Sequence, residues 1–309
     1  MSYNFNFSIY QRSFIKPLKT HHGIWKIREG IILKLTNDLG KITWGEITPL
    51  PWFGSETLAQ SLSFCQQLGT KVYLEQIKLI PDNLPACQFA FESALEGFNS
   101  HILKENKKSK FSYLLPTGKE ALSQVKIGYQ QGYKTFKWKI GVSLYEEEIN
   151  LLQQLINELP QDTKLRLDAN GGLNLQAAQT WLKITDELNN IEFIEQPLPP
   201  AQLDNMIQLN QDHKTALALD ESVANLTQLD SCYQQGWRGI FVIKPAIMGF
   251  PSRLRQLCQN YPMDLVFSSV FETSIGRHHG LKLAAELMKG DRAVGFGIND
   301  WFKDKIIKE

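Results

Sequence analysis

Along residues 3–15, apolar positions alternate with polar ones: Tyr3, Phe5, Phe7 and Ile9 fall on one side of an extended chain. A period of two predicts a β-strand. A second strand is expected from Gly30 to Thr36 and a third from Ile42 to Ile47, joined by the turn Asn37-Asp38-Leu39-Gly40. Together they predict a small antiparallel sheet. The rhythm then changes. Thr57–Leu68 and Leu84–Asn99 carry helical spacing, and Ala86, Phe89, Ala90, Ser93, Ala94 and Gly97 give the second helix a close-packed face. The charged stretch Lys104–Lys110 reads as a connector between domains.

Beyond it one unit recurs, a short apolar strand followed by a helical segment. Strands are expected at Phe111–Leu115, Thr135–Ile140, Lys164–Asp168, Ile191–Glu195, Ala216–Asp220, Gly239–Lys244, Asp264–Ser268 and Ala293–Ile298. Eight strands alternating with seven helices predict a parallel α/β sheet, closed into a barrel rather than left open. No GxGxxG follows the first of them and no GxxxxGK[ST] occurs, so nucleotide-binding folds lose support.

Composition narrows the partners. At 309 residues the chain has room for two average domains, or for one barrel with an extension. Lys+Arg is 33 against Asp+Glu 32, a net charge of +1, which gives no reason to expect nucleic acid or an anionic membrane. The apolar runs are too short to span a bilayer. The opening MSYNFNFSIY lacks a basic segment before an apolar one, so a cytoplasmic location is expected. Cys65, Cys87, Cys232 and Cys258 are scattered without a CxxC, as for free thiols in a reducing compartment.

What ends the strands carries the chemistry. Lys139, Asp168, Glu195, Asp220 and Lys244 each close an apolar run, at steps of 29, 27, 25 and 24 residues. Taken singly, such an Asp caps a helix and such a Lys snorkels to water. Five in register, ordered base, acid, acid, acid, base, fall on one barrel rim, where active sites of this fold sit. Three carboxylates on one rim repel one another unless a cation joins them, and hard oxygen donors suit Mg²⁺. A lysine beside the ion could then move a proton at carbon. It needs a neutral amine, so its pKa must fall by about 3 from roughly 10.4; burial, Mg²⁺ and Lys137 would promote that. The pairs His21-His22 and His278-His279 are expected at the surface or in packing, and Trp25, Trp44 and Trp138 in the core and the domain interface. Trp52 is set apart, in a loop that could meet a substrate ring.

Lys137-x-Lys139, Asp168-Ala-Asn170, Glu195-Gln-Pro197, Asp220-Glu-Ser222 and Lys244-Pro245 together resemble the catalytic set of the enolase superfamily, muconate-lactonising subgroup. The resemblance covers essentially the whole chain. It implies a modified TIM barrel, (β/α)7β, over residues 106–299, with an α+β capping domain formed by residues 1–105 and the tail 300–309. It implies Asp168, Glu195 and Asp220 as ligands of Mg²⁺, with Mn²⁺ as a substitute, and Lys139 and Lys244 as catalytic groups. Substrate contacts would come from Lys137, Arg166, Asn170, Ser268 and Ser269.

Arg28-Glu-Gly30, Trp44-Gly-Glu-Ile47, Pro49-Leu-Pro51, Phe53–Thr57 and Ser268–Gly276 resemble segments of one branch of the subgroup, dehydratases of quinone biosynthesis. That likeness implies that Lys139 removes an α-proton and protonates a departing hydroxyl on the same face, while Lys244 stabilises the enediolate by its charge. The partner would be a small-molecule substrate, and the protein a monomer. Dipeptide epimerase, N-acylamino acid racemase and muconate cycloisomerase are the alternatives. Gly297-Ile298-Asn299 lacks the acidic pair with which epimerases hold an ammonium group, although Asp300 lies close by. A non-catalytic relative would have lost one of the five rim residues, and none is lost.

Overall fold

The computed structural model describes residues 1–20, 23–99, 110–298 and 301–302. Among these, the N-terminal part contains β1 (Ser2–Thr20), β2 (Gly23–Thr36), β3 (Ile42–Ile47), α1 (Leu58–Leu68), β4 (Lys71–Tyr73), α2 (Leu74–Lys78) and α3 (Pro85–Asn99). The strands form an antiparallel sheet in the order β3-β2-β1-β4. The β2–β3 turn is held by Asn37, whose Oδ1 accepts from the amides of Leu39 at 3.1 Å and Lys41 at 2.9 Å. The expected face of α3 packs on the sheet, with Ala86, Phe89, Ala90, Ser93 and Ala94 buried. That contact needs Gly45, since a Cβ there would lie 2.2 Å from the Ala90 carbonyl oxygen.

The second layer system is the barrel. Its strands are β5 (Ser112–Leu114), β6 (Thr135–Lys139), β7 (Lys164–Asp168), β8 (Ile191–Glu195), β9 (Leu217–Leu219), β10 (Ile240–Ile243) and β11 (Asp264–Phe267). All pair in parallel, in chain order. Its helices are α4 (Glu120–Gln130), α5 (Tyr145–Glu158), α6 (Leu175–Thr185), α7 (Leu203–Asp212), α8 (Leu226–Gln234), α9 (Pro245–Met248), α10 (Pro251–Asn260) and α11 (Ser274–Leu287). This is the expected modified barrel with a capping domain.

One expected strand is not regular. Ala293–Ile298 makes only isolated parallel bridges, Val294 to Phe111 and Gly295 to Ser268. The segment still joins the first and last barrel strands, because Ser112 N donates to Val294 O at 3.0 Å and Gly295 N to Phe267 O at 2.7 Å. Its passage is too close for side chains. A Cβ on Gly295 would meet Ser268 Oγ at 2.7 Å, and one on Gly297 would meet Ser112 O at 2.6 Å.

The cap and barrel share packing. Ala246, Ile247, Phe250 and Val270 of the barrel belong to the same buried cluster as Phe5, Leu33 and Phe89 of the cap. Phe302 bridges to Phe14 of β1, with ring centroids 4.7 Å apart. Residues 100–109, which hold all of the expected connector Lys104–Lys110 but Lys110, most of the tail, His21, His22, Asn299 and Asp300 lie outside the described residues.

Candidate active site

The five rim residues arrive by register. Lys139 pairs with Asp168 across β6 and β7, and Asp168 with Glu195 across β7 and β8. Gln196 then staples the next strand. Its Oε1 accepts from the amides of Asp220 at 2.9 Å and Ser222 at 3.1 Å, and its Nε2 donates to Ser222 Oγ at 2.7 Å. Gln196 is fully buried, and the adjoining backbone is unusual: φ is 38° at Gln196 and 46° at Asn170. These are left-handed values held by the surrounding bonds.

Above these strand ends lies a cavity of about 210 Å³. The barrel contributes Lys137, Lys139, Asp168, Asn170, Asp220 and Lys244 to it. The cap contributes apolar surface: Leu18, Trp25, Leu50, Trp52 and Phe53. Trp25 and Trp52 meet edge to face at 5.0 Å, and the Phe53 ring lies 3.9 Å from Lys244 Nζ. Phe271, from the loop after β11, packs edge-on to Trp25 at 5.5 Å and Phe14 at 5.3 Å, tying the rim to the cap.

Charge dominates the floor. Lys137 Nζ sits 2.9 Å from Asp168 and 2.6 Å from Glu195. Burial works against its ammonium form, but Asp168, Glu195 and Asp220 outweigh this and hold its pKa above normal. Lys244 is ion-paired with Asp220. Lys139 Nζ donates to Asn170 Oδ1 at 2.8 Å, and Asn170 Nδ2 donates to Glu221 Oε1 at 3.1 Å.

Clustered at the strand ends, among the described residues, are the buried acids Asp168, Glu195 and Asp220 with the half-buried Glu221, Lys137, Lys139 and Lys244. Glu195 shows the strain: burial, with the charges of Asp168 and Asp220, pushes it up to about 7 in spite of Lys137. Asp220 is raised by burial and Glu221 against the pull of Lys244, whereas Lys137 and Lys139 overcome burial at Asp168 and lower it. As the side chains stand, no three acids, histidines or cysteines among the described residues close around one point. The donor set nonetheless fits Mg²⁺. It offers hard carboxylate oxygens from Asp168, Glu195 and Asp220 at the ends of three successive strands.

The remaining expected contacts divide. Lys137, Asn170, Ser268 and Ser269 reach the cavity. Ser269 also donates to Glu272 Oε2 at 2.8 Å, so its hydroxyl is committed to the loop. Arg166 is a correction: it is buried, donates to Glu192 at 2.7 Å and lies over the Phe193 ring. Two residues before Asp168 on the same strand, it faces the same interior but roughly 6–7 Å deeper. Trp138 is buried as expected, whereas Trp44 is 46% exposed, a second correction. His279 accepts its place in packing, with Nε2 3.0 Å from Trp44 O. All four cysteines are free. Glu221, Phe53 and Phe271 escaped the sequence reading, although Glu221 adjoins Asp220 in the motif quoted for it.

Comparison with known proteins agrees with this geometry. Residues 120–309 match the model "Enolase C-terminal domain-like", and residues 8–98 match "MenC, N-terminal domain". The chain belongs to the enolase superfamily. It is 40% identical to the o-succinylbenzoate synthase of Thermosynechococcus vestitus over 95% of this chain and 92% of that one. The corresponding enzyme of Photorhabdus laumondii is 30% identical over 81% of this chain and 76% of its own. Within the superfamily, the chain is a member of the o-succinylbenzoate synthase family. The crystal structure of the enzyme from Thermosynechococcus elongatus, complexed with Mg in its active site, superposes with TM-score 0.89 at 39% identity, covering 96% of this chain and 94% of that one. The L-Ala-D/L-Glu epimerase of Bacillus subtilis shares the fold, with TM-score 0.84 at 20% identity over 97% of this chain and 91% of its own.

Proposed function

We propose that the protein is a Mg²⁺-dependent o-succinylbenzoate synthase. It would convert 2-succinyl-6-hydroxy-2,4-cyclohexadiene-1-carboxylate to 2-succinylbenzoate and water, in menaquinone or phylloquinone biosynthesis. The observation that carries this is the opposition of Lys139 and Lys244 across one cavity, with Asp168 and Asp220 between them. Asp168, Glu195 and Asp220 are the residues that would hold Mg²⁺, or Mn²⁺ in its place. When bound, the ion supplies positive charge beside the substrate carboxylate.

Lys139 takes the proton from C1, and the C–H electron pair moves into the carboxylate to give an enediolate; that pair then forms the C1–C6 double bond as the C6–OH bond breaks. The same lysine returns its proton to the departing hydroxyl, so water leaves from the face on which the first proton was taken. Lys244 faces the other side, and its ammonium group offsets negative charge gathering on the carboxylate. Lys137 keeps Asp168 and Glu195 partnered. The apolar cap surface of Trp25, Trp52 and Phe53 suits a six-membered ring and excludes water from the carbanion.

The same reading makes the protein a monomer of the cytoplasm acting on a small molecule. On this reading the chain divides into a cap at 1–105 with 300–309 and a barrel at 106–299, of which 100–109, 299–300 and 303–309 lie outside the described residues. Its support is the near-neutral charge, the Phe14–Phe302 contact and the lack, among the described residues, of any helix long and apolar enough to cross a membrane. The test is direct. Purified protein with Mg²⁺ should consume the cyclohexadiene carboxylate, followed by loss of diene absorbance with formation of one equivalent of 2-succinylbenzoate. An unchanged diene spectrum would overturn the assignment.

A further inference from the structure

Glu221 is a fourth carboxylate at the site, and neither the proposed ligand set nor the proton transfers employ it. It opens a short 3-10 turn, Glu221–Val223, whose backbone is fixed from below by Gln196 through Ser222 N and Oγ. Its side chain makes one hydrogen bond, to Asn170 Nδ2 at 3.1 Å, while Oε2 is buried without a hydrogen-bond partner. Asn170 in turn has a backbone pinned at φ 46° by its own amide, which donates to Asp168 Oδ1 at 3.0 Å. Beyond it stands Lys139, with Nζ 2.8 Å from Asn170 Oδ1.

The polarity of this chain is determined. A carboxylate only accepts, and a protonated lysine only donates. An amide placed between them has one satisfactory orientation, with nitrogen toward Glu221 and oxygen toward Lys139. Without Glu221, the amide can turn over and present its NH₂ to the lysine, donor against donor. Buried networks of this kind act as units, not as separate bonds.

We propose that Glu221 is a positioning residue for the base, acting through Asn170. It locks the asparagine amide so that one hydrogen of Lys139 is always accepted and the amine is held toward the substrate's α-carbon. This rests on Lys139 being the proton carrier, as assigned above. What Glu221 supplies is an acceptor, and its charge is incidental.

The experiment is a kinetic cycle with Mg²⁺ titrations. Glu221→Ala should lower kcat about 30-fold while KM stays within about twofold, since a base misplaced by an ångström loses rate on the order of a hundredfold. Glu221→Gln keeps an acceptor and should recover most of that loss. Asn170→Ala/Glu221→Ala should be no slower than Asn170→Ala alone, because a residue acting only through Asn170 has nothing further to lose. Mg²⁺ affinity by calorimetry should match wild type in both Glu221 variants. With an analogue lacking the C6 hydroxyl, α-proton exchange into solvent should slow in step with kcat.

Glu221→Gln as slow as Glu221→Ala, Mg²⁺ affinity falling alongside activity, effects confined to KM, or independent losses in the double variant would each overturn the proposal. A wild-type protein inert toward the cyclohexadiene would instead sink the reaction assignment, and α-proton exchange with any carboxylate it does accept would still decide the role of Glu221.

Discussion

Glu46 of the cap and Thr273 of the barrel are joined by three hydrogen bonds across 227 residues of sequence. Both Glu46 oxygens accept from Thr273 N, at 2.8 and 3.0 Å, and Oε2 also accepts from the Thr273 hydroxyl at 2.5 Å. Gly276 N adds a bond of 2.7 Å, and Tyr10 OH, reaching across from β1, one of 2.6 Å. A carboxylate from one domain thus caps the first turn of α11 in the other, where free N–H groups and the helix dipole favour negative charge. Gly276 is required there, since a Cβ would lie 2.9 Å from Glu46 Oε2.

Glu46→Ala should therefore loosen the cap from the barrel. It leaves several buried donors unpaired, at a cost of about 2–4 kcal/mol. Urea unfolding followed by tryptophan fluorescence would measure it. A change below about 0.5 kcal/mol would mean that water replaces the carboxylate without penalty.

Glu272, directly before Thr273, gives the stability a pH dependence. Burial first, and the charge of Glu46 after it, push its carboxyl up to about 7 from an ordinary 4.5, against hydrogen bonds from Ser269 and Val270. Between those two values the folded protein holds a proton that the unfolded chain releases. Stability is therefore lost as pH rises from about 4.5 to about 7, by at most on the order of 3 kcal/mol, and the loss is complete above that. Glu272→Gln stays neutral and escapes the loss. Its stability relative to wild type should improve between pH 5 and pH 8. An equal difference at both values, in chemical denaturation, would show that Glu272 does not titrate in this window.

The rim was readable because each barrel strand is an apolar run stopped by one polar residue, and chain order matches sheet order. Lys164–Asp168 and Ile191–Glu195 end where the pattern ends. Three-residue β4 and five-residue α2 are too short to show a period. The eighth strand failed because Gly295 and Gly297 supply the spacing of a strand without side chains to define a face. Arg166 failed on depth: alternation gives the side of a strand but not the distance from its end. Glu46 and Glu272 were hidden because a buried carboxylate is explained by donors that lie far away in sequence. Trp44 looked like core by residue type, yet it faces outward from β3, the outer strand of its sheet.

Trp52 lies on the cap side of the cavity, 40% exposed and edge-on to Trp25. Trp52→Ala removes apolar surface from the substrate side and little from the core. KM should rise about tenfold and Tm should change little, read from steady-state kinetics and calorimetry. Unchanged KM would leave the ring without contact to the substrate.

Chelation should abolish turnover, and Mg²⁺ or Mn²⁺ should restore it. Asp220→Asn removes one ligand charge with little change in volume. It should lose metal affinity in calorimetry while circular dichroism stays native, because rim residues of this barrel serve chemistry more than stability. Full activity in metal-free buffer would exclude the assignment.

The two lysines should differ. Lys139 and Lys244 line the same cavity from opposite sides of the acid cluster, one bonded to the neutral amide of Asn170 and the other to the carboxylate of Asp220. A dehydration with base and acid on one face needs a single proton carrier. If Lys139 is that carrier, Lys139→Ala removes both transfers and activity falls to background. Lys244 then acts through charge, and the loss of one preorganised electrostatic group costs about 10²–10³ in rate. Lys244→Arg keeps the charge but cannot serve as a base near neutral pH. It should retain more activity than Lys139→Arg. With a substrate analogue lacking the hydroxyl, only the α-proton on the Lys139 face should exchange rapidly with deuterated solvent. Equal exchange from both faces, or a Lys244→Arg protein as inactive as Lys139→Ala, would make the site a two-base racemase and return the epimerase and racemase alternatives to first place.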